Sequence, residues 1–119
     1  MTEKERIKSL LSEYGLSAKK SFGQNFLINE GIINRIVKRL NISEFETVIE
    51  IGPGLGSLTL RLQEQAKRLI AVDADRDMIR VLHDILQSDK VNLIQSDFLR
   101  FDPDLYSKKE ERLFVGNLP

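Results

Sequence analysis

The sequence predicts an α/β fold in which helices cover a parallel β-sheet. Short β-branched segments alternate with longer stretches whose apolar residues recur at helical spacing, and this alternation is typical of parallel sheets with right-handed crossovers. A glycine-rich segment directly after the first strand is the second observation, because open parallel sheets bind ligands beside such turns. We predict four strands in the order 3-2-1-4, with the switch point between strands one and four.

The four strands are predicted from short apolar runs that contain many valine, isoleucine and leucine residues. They are residues 47–51, 69–72, 91–95 and 113–115. Residues 101–112 are mostly polar and are predicted to form a surface connection to the last strand.

Capping signals and apolar spacing predict the helices. Thr2 and Glu5 form a capping-box pattern before the first helix, and Gly15 suits its C-terminal cap. Asn29 and Asp75 are predicted to cap the second and fourth helices. The apolar residues expected on the buried faces of these helices are Ile7, Leu10, Leu11 and Tyr14; Ile32, Ile33, Ile36, Val37 and Leu40; and Ile79, Leu82 and Leu86.

The segment after the first strand is predicted to be a tight turn that leads into the third helix, at about residues 57–66. Gly52, Gly54 and Gly56 let the backbone turn sharply and approach a ligand closely, because glycine has no Cβ. The spacing matches the dinucleotide fingerprint G-x-G-x-x-G poorly, since Ser57 stands at its third glycine position. A tight turn without a ligand is the alternative interpretation.

Two aspartates follow strands two and three, where a nucleoside would lie. Asp73 comes about twenty residues after the first glycine, the separation at which a carboxylate accepts hydrogen bonds from ribose hydroxyls. Asp97 follows strand three, and its carboxylate is able to accept a hydrogen bond from an adenine amino group. The alternatives are a solvated acid for Asp73 and an ordinary turn residue for Asp97.

The composition excludes several classes of protein. The 119 residues carry no net charge, so any surface that binds nucleic acid must be local. Cysteine is absent and there is one histidine, which excludes disulfides, thiolate metal sites and a histidine-rich metal cluster. No apolar run approaches the length of a membrane span, and the N-terminus has no signal-peptide character. We expect a single-domain cytoplasmic protein.

Five motifs in order resemble those of the ribosomal RNA adenine dimethyltransferase family, and in particular its small-subunit branch. They are Gly23-Gln24-Asn25-Phe26-Leu27, Glu50-Ile51-Gly52-Pro53-Gly54, Asp73-Ala74-Asp75, Ser96-Asp97 and Gly116-Asn117-Leu118-Pro119. The resemblance covers residues 19–119. Sister enzymes that methylate large-subunit RNA and confer macrolide resistance share much of the pattern.

The resemblance implies a Rossmann-like methyltransferase fold with S-adenosylmethionine as the methyl donor. The residues that would hold the donor are Gln24, Asn25, Leu27, Glu50, Gly52, Gly54, Asp73, Asp97 and Asn117. Within this set, Gly52 would approach the methionine part, Asp73 the ribose hydroxyls and Asp97 the adenine amino group. Glu50 would face the methionine ammonium, or else be a buried acid satisfied by backbone amides of the turn. The family usually has glutamate where this chain has Asp73.

The implied reaction is dimethylation of the exocyclic nitrogen of adenines in small-subunit rRNA. Asn117, Leu118 and Pro119 are the implied catalytic segment, in which the Asn117 side chain and the Leu118 carbonyl would hold the amino hydrogens of the target base. Lys19 and Lys20 are the candidate contacts to RNA phosphates, with an exposed basic pair as the alternative.

The sequence also suggests how the chain is organised. Residues 1–46 are expected to form a helical extension with a motif loop, and residues 47–119 part of a methyltransferase core. We expect the chain to be the N-terminal part of a longer enzyme, without methyl-transfer activity by itself. The alternatives are a large-subunit rRNA methyltransferase, a non-catalytic RNA-binding relative and, least favoured, an NAD-binding module.

Overall fold

The structure is a computed structural model that describes residues 1–17, 29–86 and 89–116. Within these ranges four strands form one sheet. They are β1 (Thr47–Ile51), β2 (Leu69–Asp73), β3 (Val91–Gln95) and β4 (Arg112–Gly116). The order is β3-β2-β1-β4 and every neighbouring pair is parallel, which confirms the predicted topology.

In the described part of the chain, four α-helices accompany the sheet. They are α1 (Glu3–Glu13), α2 (Glu30–Arg39), α3 (Thr59–Gln65) and α4 (Arg76–Ile85). The predicted caps are confirmed: Thr2 and Glu5 form a reciprocal capping box, and Asn29 and Asp75 accept hydrogen bonds from the first turns of α2 and α4. Gly15 follows α1 with φ of +67°, the left-handed conformation that ends many helices.

Successive side chains along each strand point to opposite faces of the sheet, and different elements cover the two faces. On one face, Val48 and Leu69 pack against α2 and α3 through Ile33, Val37 and Leu62. On the opposite face, side chains that include Ile49 and Ile70 pack against Phe101 and Tyr106 from the connection between β3 and β4. Helix α1 packs beside α4 rather than on the sheet, in a cluster formed by Ile7, Leu10, Leu55, Met78 and Val81.

Several details of the predicted core were wrong. Ile32 is 40% exposed because it lies off the face of α2 that Ile33 and Val37 bury. Phe101, expected in a surface connection, is buried and stacks on Tyr106 with ring centroids 5.5 Å apart. That connection folds into short 3-10 turns that place the ring against the sheet. On α4, Met78, Val81 and Leu82 form the buried face, while Ile79 and Leu86 are only half-buried.

None of the helices in the described ranges is long and apolar enough to cross a membrane. The division of the chain at residues 46 and 47 stays a prediction.

Candidate functional site

The carboxyl edge of the sheet brings the predicted ligand residues together. Ile51 pairs with Val72, and the Gly52 N–H donates to the Val72 carbonyl at 2.9 Å, so the glycine turn begins beside the end of β2. The Ser96 N–H donates to the Asp73 carbonyl at 3.0 Å, which places the residue before Asp97 next to Asp73. Parallel pairing therefore collects three predicted ligand elements at one edge.

The glycine turn has the backbone conformation that its three glycines predict. Gly52, Gly54 and Gly56 have φ of +70°, +58° and +85°, a region that other residues rarely adopt. The Gly56 N–H donates to the Pro53 carbonyl at 3.0 Å and closes the turn, and the Gly56 carbonyl accepts from Leu60 in the first turn of α3 at 2.9 Å. The segment is thus a tight loop that leads directly into a helix.

The Asp73 side chain connects this turn to the end of β2 by a hydrogen bond. Its Oδ2 accepts a hydrogen bond from the Gly54 N–H at 3.3 Å, and its Oδ1 accepts from the Asp75 N–H at 2.9 Å. Burial raises the pKa of Asp73, and the two backbone hydrogen bonds act against that rise. Each carboxylate oxygen has a second lone pair, so the group retains capacity to accept from a ligand hydroxyl.

Glu50 lies beneath the turn and is 1% exposed. Its Oε1 accepts a hydrogen bond from the Thr59 hydroxyl at 2.6 Å, so a side chain of α3 is its partner and not the turn amides considered from the sequence. Burial raises its pKa to about 7, and the negative charge of nearby Asp73 adds to the rise while the Thr59 hydrogen bond opposes it. The site therefore holds a carboxyl that titrates near neutrality.

Asp97 is exposed at the end of β3, and its Oδ1 caps the following 3-10 turn by accepting from the Leu99 N–H at 3.0 Å. Asp97 therefore has the turn role that was the alternative interpretation of the sequence, and its other carboxylate oxygen, Oδ2, takes no part in that hydrogen bond. Phe98, the next residue, is 47% exposed. Phe98 was not among the predicted site residues, and its exposed ring directly follows the candidate adenine ligand in the chain.

Two further residues of this region were missed. Thr59 is the first residue of α3 and Ser57 lies two residues before it; both are buried, and their hydroxyls donate to the carboxylates of Glu50 and Glu3. Each pairing joins residues of different elements, so only the fold shows it.

Eight predicted site residues lie outside the residues that the structure describes. They are Lys19, Lys20, Gln24, Asn25, Leu27, Asn117, Leu118 and Pro119. Their roles stay predictions. Gly116, the residue before Asn117, pairs with Ile51 beside the glycine turn.

A cavity of about 350 Å³ lies at β3, away from the glycine turn. Its lining residues are His83, Leu86, Val91, Asn92, Leu93, Ile94 and Tyr106. None of them belongs to the glycine turn, and neither Asp73 nor Asp97 is among them. Over residues 1–17, 29–86 and 89–116, no group of three or more His, Cys, Asp or Glu residues is arranged to hold a metal ion.

Comparison with solved structures defines the class of protein. The 23S rRNA methyltransferase ErmE is similar with a TM-score of 0.69 and 27% identity, over 80% of this chain and 38% of that one. A dimethyladenosine transferase from Plasmodium falciparum is similar with a TM-score of 0.63 and 28% identity, over 80% and 34% of the two chains. The fold is that of the Rossmann-like methyltransferases that use S-adenosylmethionine.

The chain belongs to the ribosomal RNA adenine dimethylase family, whose sequence model matches residues 15–119. Relatives named ribosomal RNA small subunit methyltransferase A are 48% identical in Staphylococcus aureus and 45% identical in Leuconostoc mesenteroides. Each match covers 96% of this chain, and the chain spans 40% and 41% of the length of these two relatives. Family membership confirms the resemblance found from the five motifs.

Proposed function

We propose that this chain is the donor-binding part of a methyltransferase that dimethylates the N6 atom of adenines in small-subunit rRNA. The observation that carries the proposal is the hydrogen bond between Asp73 and Gly54, which joins the predicted ribose ligand to the predicted methionine turn. A nucleoside donor needs both elements at one edge of the sheet, and the parallel pairing of β1 with β2 provides that arrangement.

S-adenosylmethionine fits the residues at this edge. The left-handed glycines allow the tight turn at this edge, Gly52 at its start is only half-buried, and Asp73 retains lone pairs for the ribose hydroxyls. Asp97 has a free acceptor oxygen for the adenine amino group, and the exposed ring of Phe98 offers an apolar surface for the base. Glu50 supplies negative charge beneath the turn for the methionine ammonium when its carboxyl is ionised.

The bound donor would supply a methyl group on a positively charged sulfur. In each transfer the methyl group would pass from the sulfur, which leaves as the neutral thioether of S-adenosylhomocysteine, to the adenine amino nitrogen, and that nitrogen would release one proton to solvent. The contribution of the chain is positioning, because holding two reactants in line converts a bimolecular step into an effectively unimolecular one. Asn117 and Leu118 are proposed to hold the amino hydrogens with their carbonyl oxygens, and Gln24, Asn25 and Leu27 to support the donor.

The first experiment is calorimetric titration of the protein with S-adenosylmethionine, S-adenosylhomocysteine and NAD. We expect both sulfur compounds to bind more tightly than NAD, because the turn departs from the dinucleotide fingerprint at Ser57. Tighter binding of NAD would contradict the proposal. Loss of sulfur-compound binding on Asp73→Ala, with retained helical content by circular dichroism, would support it.

The substrate is proposed to be the immature small ribosomal subunit, which implies a cytoplasmic protein. The specific support is the shared name of the curated relatives at 40–48% identity. The rival substrate is large-subunit rRNA, which is favoured by the similarity to the 23S rRNA methyltransferase ErmE. Transfer of tritiated methyl groups from the donor separates the two candidates. The assay uses the complete enzyme of which this chain is expected to be the N-terminal part, with under-methylated small subunits and protein-free large-subunit rRNA as parallel substrates. Labelling of large-subunit rRNA alone would overturn the small-subunit assignment, and RNA binding by the complete enzyme without labelling of either would favour a non-catalytic relative.

A further inference from the structure

Helix α1 is attached to the glycine turn by a buried polar cluster of Glu3, Arg6 and Ser57. The Ser57 hydroxyl donates to Glu3 Oε2 at 2.5 Å, and Arg6 Nη2 lies 2.6 Å from the same oxygen. Arg6 Nε donates to both oxygens of Glu3 at 3.0 and 3.1 Å, and Arg6 Nη2 reaches the Ser57 oxygen at 3.4 Å. Glu3 and Ser57 are 3% and 6% exposed, so the contact is shielded from water.

The three side chains of the cluster support one another. Burial opposes ionisation of Glu3, but hydrogen bonds from Arg6 and Ser57 and the Arg6 charge outweigh it, and the pKa of Glu3 lies below its ordinary value of 4.5. Loss of the Ser57 donor would leave Glu3 paired with Arg6 but would remove a hydrogen bond to a buried charged group, which contributes more than a bond between neutral groups. The connection between α1 and Ser57 is therefore a specific one.

Among the described residues, several contacts hold the glycine turn, and two of them lead to α1: Leu55 packs with Ile7 and Leu10, and the Ser57 hydroxyl makes the polar contact to Glu3. Gly54 bonds Asp73 at the end of β2. Gly56 lies so close to α4 that a Cβ atom there would be 3.0 Å from Leu82 Cδ2. Three glycines in a short segment lose much conformational entropy when they are ordered, so a turn ordered before binding gains ligand affinity.

We propose that Glu3 is a positioning residue for the methyl donor, and that it acts by holding Ser57 and hence the glycine turn in the binding geometry. This inference rests on the proposed function. It gives α1 a role in donor binding, although α1 precedes residues 15–119, where the family model matches.

The opposite end of α1 provides a matched control. The Tyr14 hydroxyl donates to Asp84 Oδ2 at 2.5 Å, and the Arg80 guanidinium lies 5.4 Å from the centre of the Tyr14 ring. These contacts join α1 to α4 without touching the turn. Tyr14→Phe removes one hydrogen bond of α1, as Ser57→Ala does, but at a place that does not position the turn.

The test measures the dissociation constant for S-adenosylhomocysteine by calorimetry and the melting temperature for Ser57→Ala, Glu3→Gln and Tyr14→Phe. We expect Ser57→Ala to weaken binding roughly fivefold or more, on the scale of one hydrogen bond. Glu3→Gln keeps an acceptor oxygen and removes the charge, so it is expected to weaken binding less than Ser57→Ala. Tyr14→Phe is expected to lower the melting temperature and leave the dissociation constant within about twofold.

The outcomes separate this inference from the proposed function. Wild-type protein that does not bind S-adenosylhomocysteine would overturn both. Wild-type protein that binds, with Ser57→Ala and Tyr14→Phe equal in affinity, would show that α1 only stabilises the fold. If Ser57→Ala does not fold, Glu3→Ala, which removes the acceptor of the Ser57 hydroxyl, decides alone: a weakened affinity supports positioning and an unchanged affinity refutes it.

Discussion

The Thr59 hydroxyl donates a 2.6 Å hydrogen bond to the carboxyl of Glu50, and both side chains are fully enclosed. Glu50 is the fourth residue of β1 and Thr59 is the first residue of α3, so the bond connects the strand before the glycine turn to the helix after it. The residues that support the candidate donor site are therefore tied to one another across the turn as well as along the chain.

The first prediction concerns this hydrogen bond. Thr59→Val keeps the shape of the side chain and removes the donor, so Glu50 loses the partner that the structure gives it. We expect a loss of roughly 1–3 kcal/mol in the free energy of unfolding, measured by urea denaturation at pH 8. Thr59→Ser keeps the hydroxyl and is the control. If the valine and serine variants are equally stable, the hydrogen bond is not the source of the effect.

The second prediction concerns pH. The pKa of Glu50 is raised from its ordinary value of 4.5 to about 7, so the folded state binds its proton more tightly than the unfolded state does. The contribution of this group to stability is therefore full below pH 4.5 and is lost as the pH rises through 7. Wild type should therefore lose stability between pH 5 and pH 8, and Glu50→Gln should not. We expect the difference in free energy of unfolding between the two proteins to shift in favour of Glu50→Gln over this range by on the order of 3 kcal/mol. A stability difference that does not change between pH 5 and pH 8 would contradict the raised pKa.

The third prediction separates the two aspartates at the end of β2. Asp73→Ala removes the acceptor of the Gly54 and Asp75 amides and the proposed ribose ligand, and we expect it to weaken S-adenosylhomocysteine binding by roughly 1–3 kcal/mol. Asp75→Ala removes only the cap on the Asp77 N–H, so it is expected to cost roughly 0.5–2 kcal/mol of stability without loss of affinity. Calorimetric titration of both variants is the measurement. Equal affinities in the two would remove Asp73 from the proposed site.

The fourth prediction compares two left-handed glycines. Gly56→Ala places a Cβ 3.0 Å from Leu82 Cδ2 at a φ of +85°, so strain and overpacking add. We expect roughly 2–4 kcal/mol of destabilisation in urea titrations. Gly15→Ala, with a φ of +67° and open space around it, carries the conformational cost alone, roughly 1–2 kcal/mol. Equal losses in the two variants would show that contact with α4 does not constrain Gly56.

The fifth prediction concerns RNA. If Lys19 and Lys20 meet phosphates, their double replacement by alanine in the complete enzyme should weaken its binding to small-subunit rRNA. The slope of log affinity against log salt should fall by about one to two, because each neutralised phosphate releases counterions. Filter binding over a range of salt concentrations measures this slope. An unchanged slope would assign the pair to the solvated surface.

The local pattern of the sequence was sufficient for the elements and their order. β1 and β3 begin and end at the predicted residues, β2 is one residue longer at its C-terminal end, and β4 is one residue longer at each end. Alternation of strand and helix led to a parallel sheet in the correct order, because right-handed crossovers leave few alternatives. Caps such as Thr2 and Asp75 were also predictable, since a cap depends on residues within one turn.

What the sequence by itself determined is the set of chemical groups at the carboxyl edge: the glycines, the aspartates and the family that their order identifies. Only the tertiary structure decided how those groups are supported. The partner of Glu50, the attachment of Ser57 to Glu3 and the burial of Phe101 each join residues separated by loops or whole elements. Such pairings depend on how the layers pack, and packing is set by the shape and burial of many side chains together rather than by any short-range spacing.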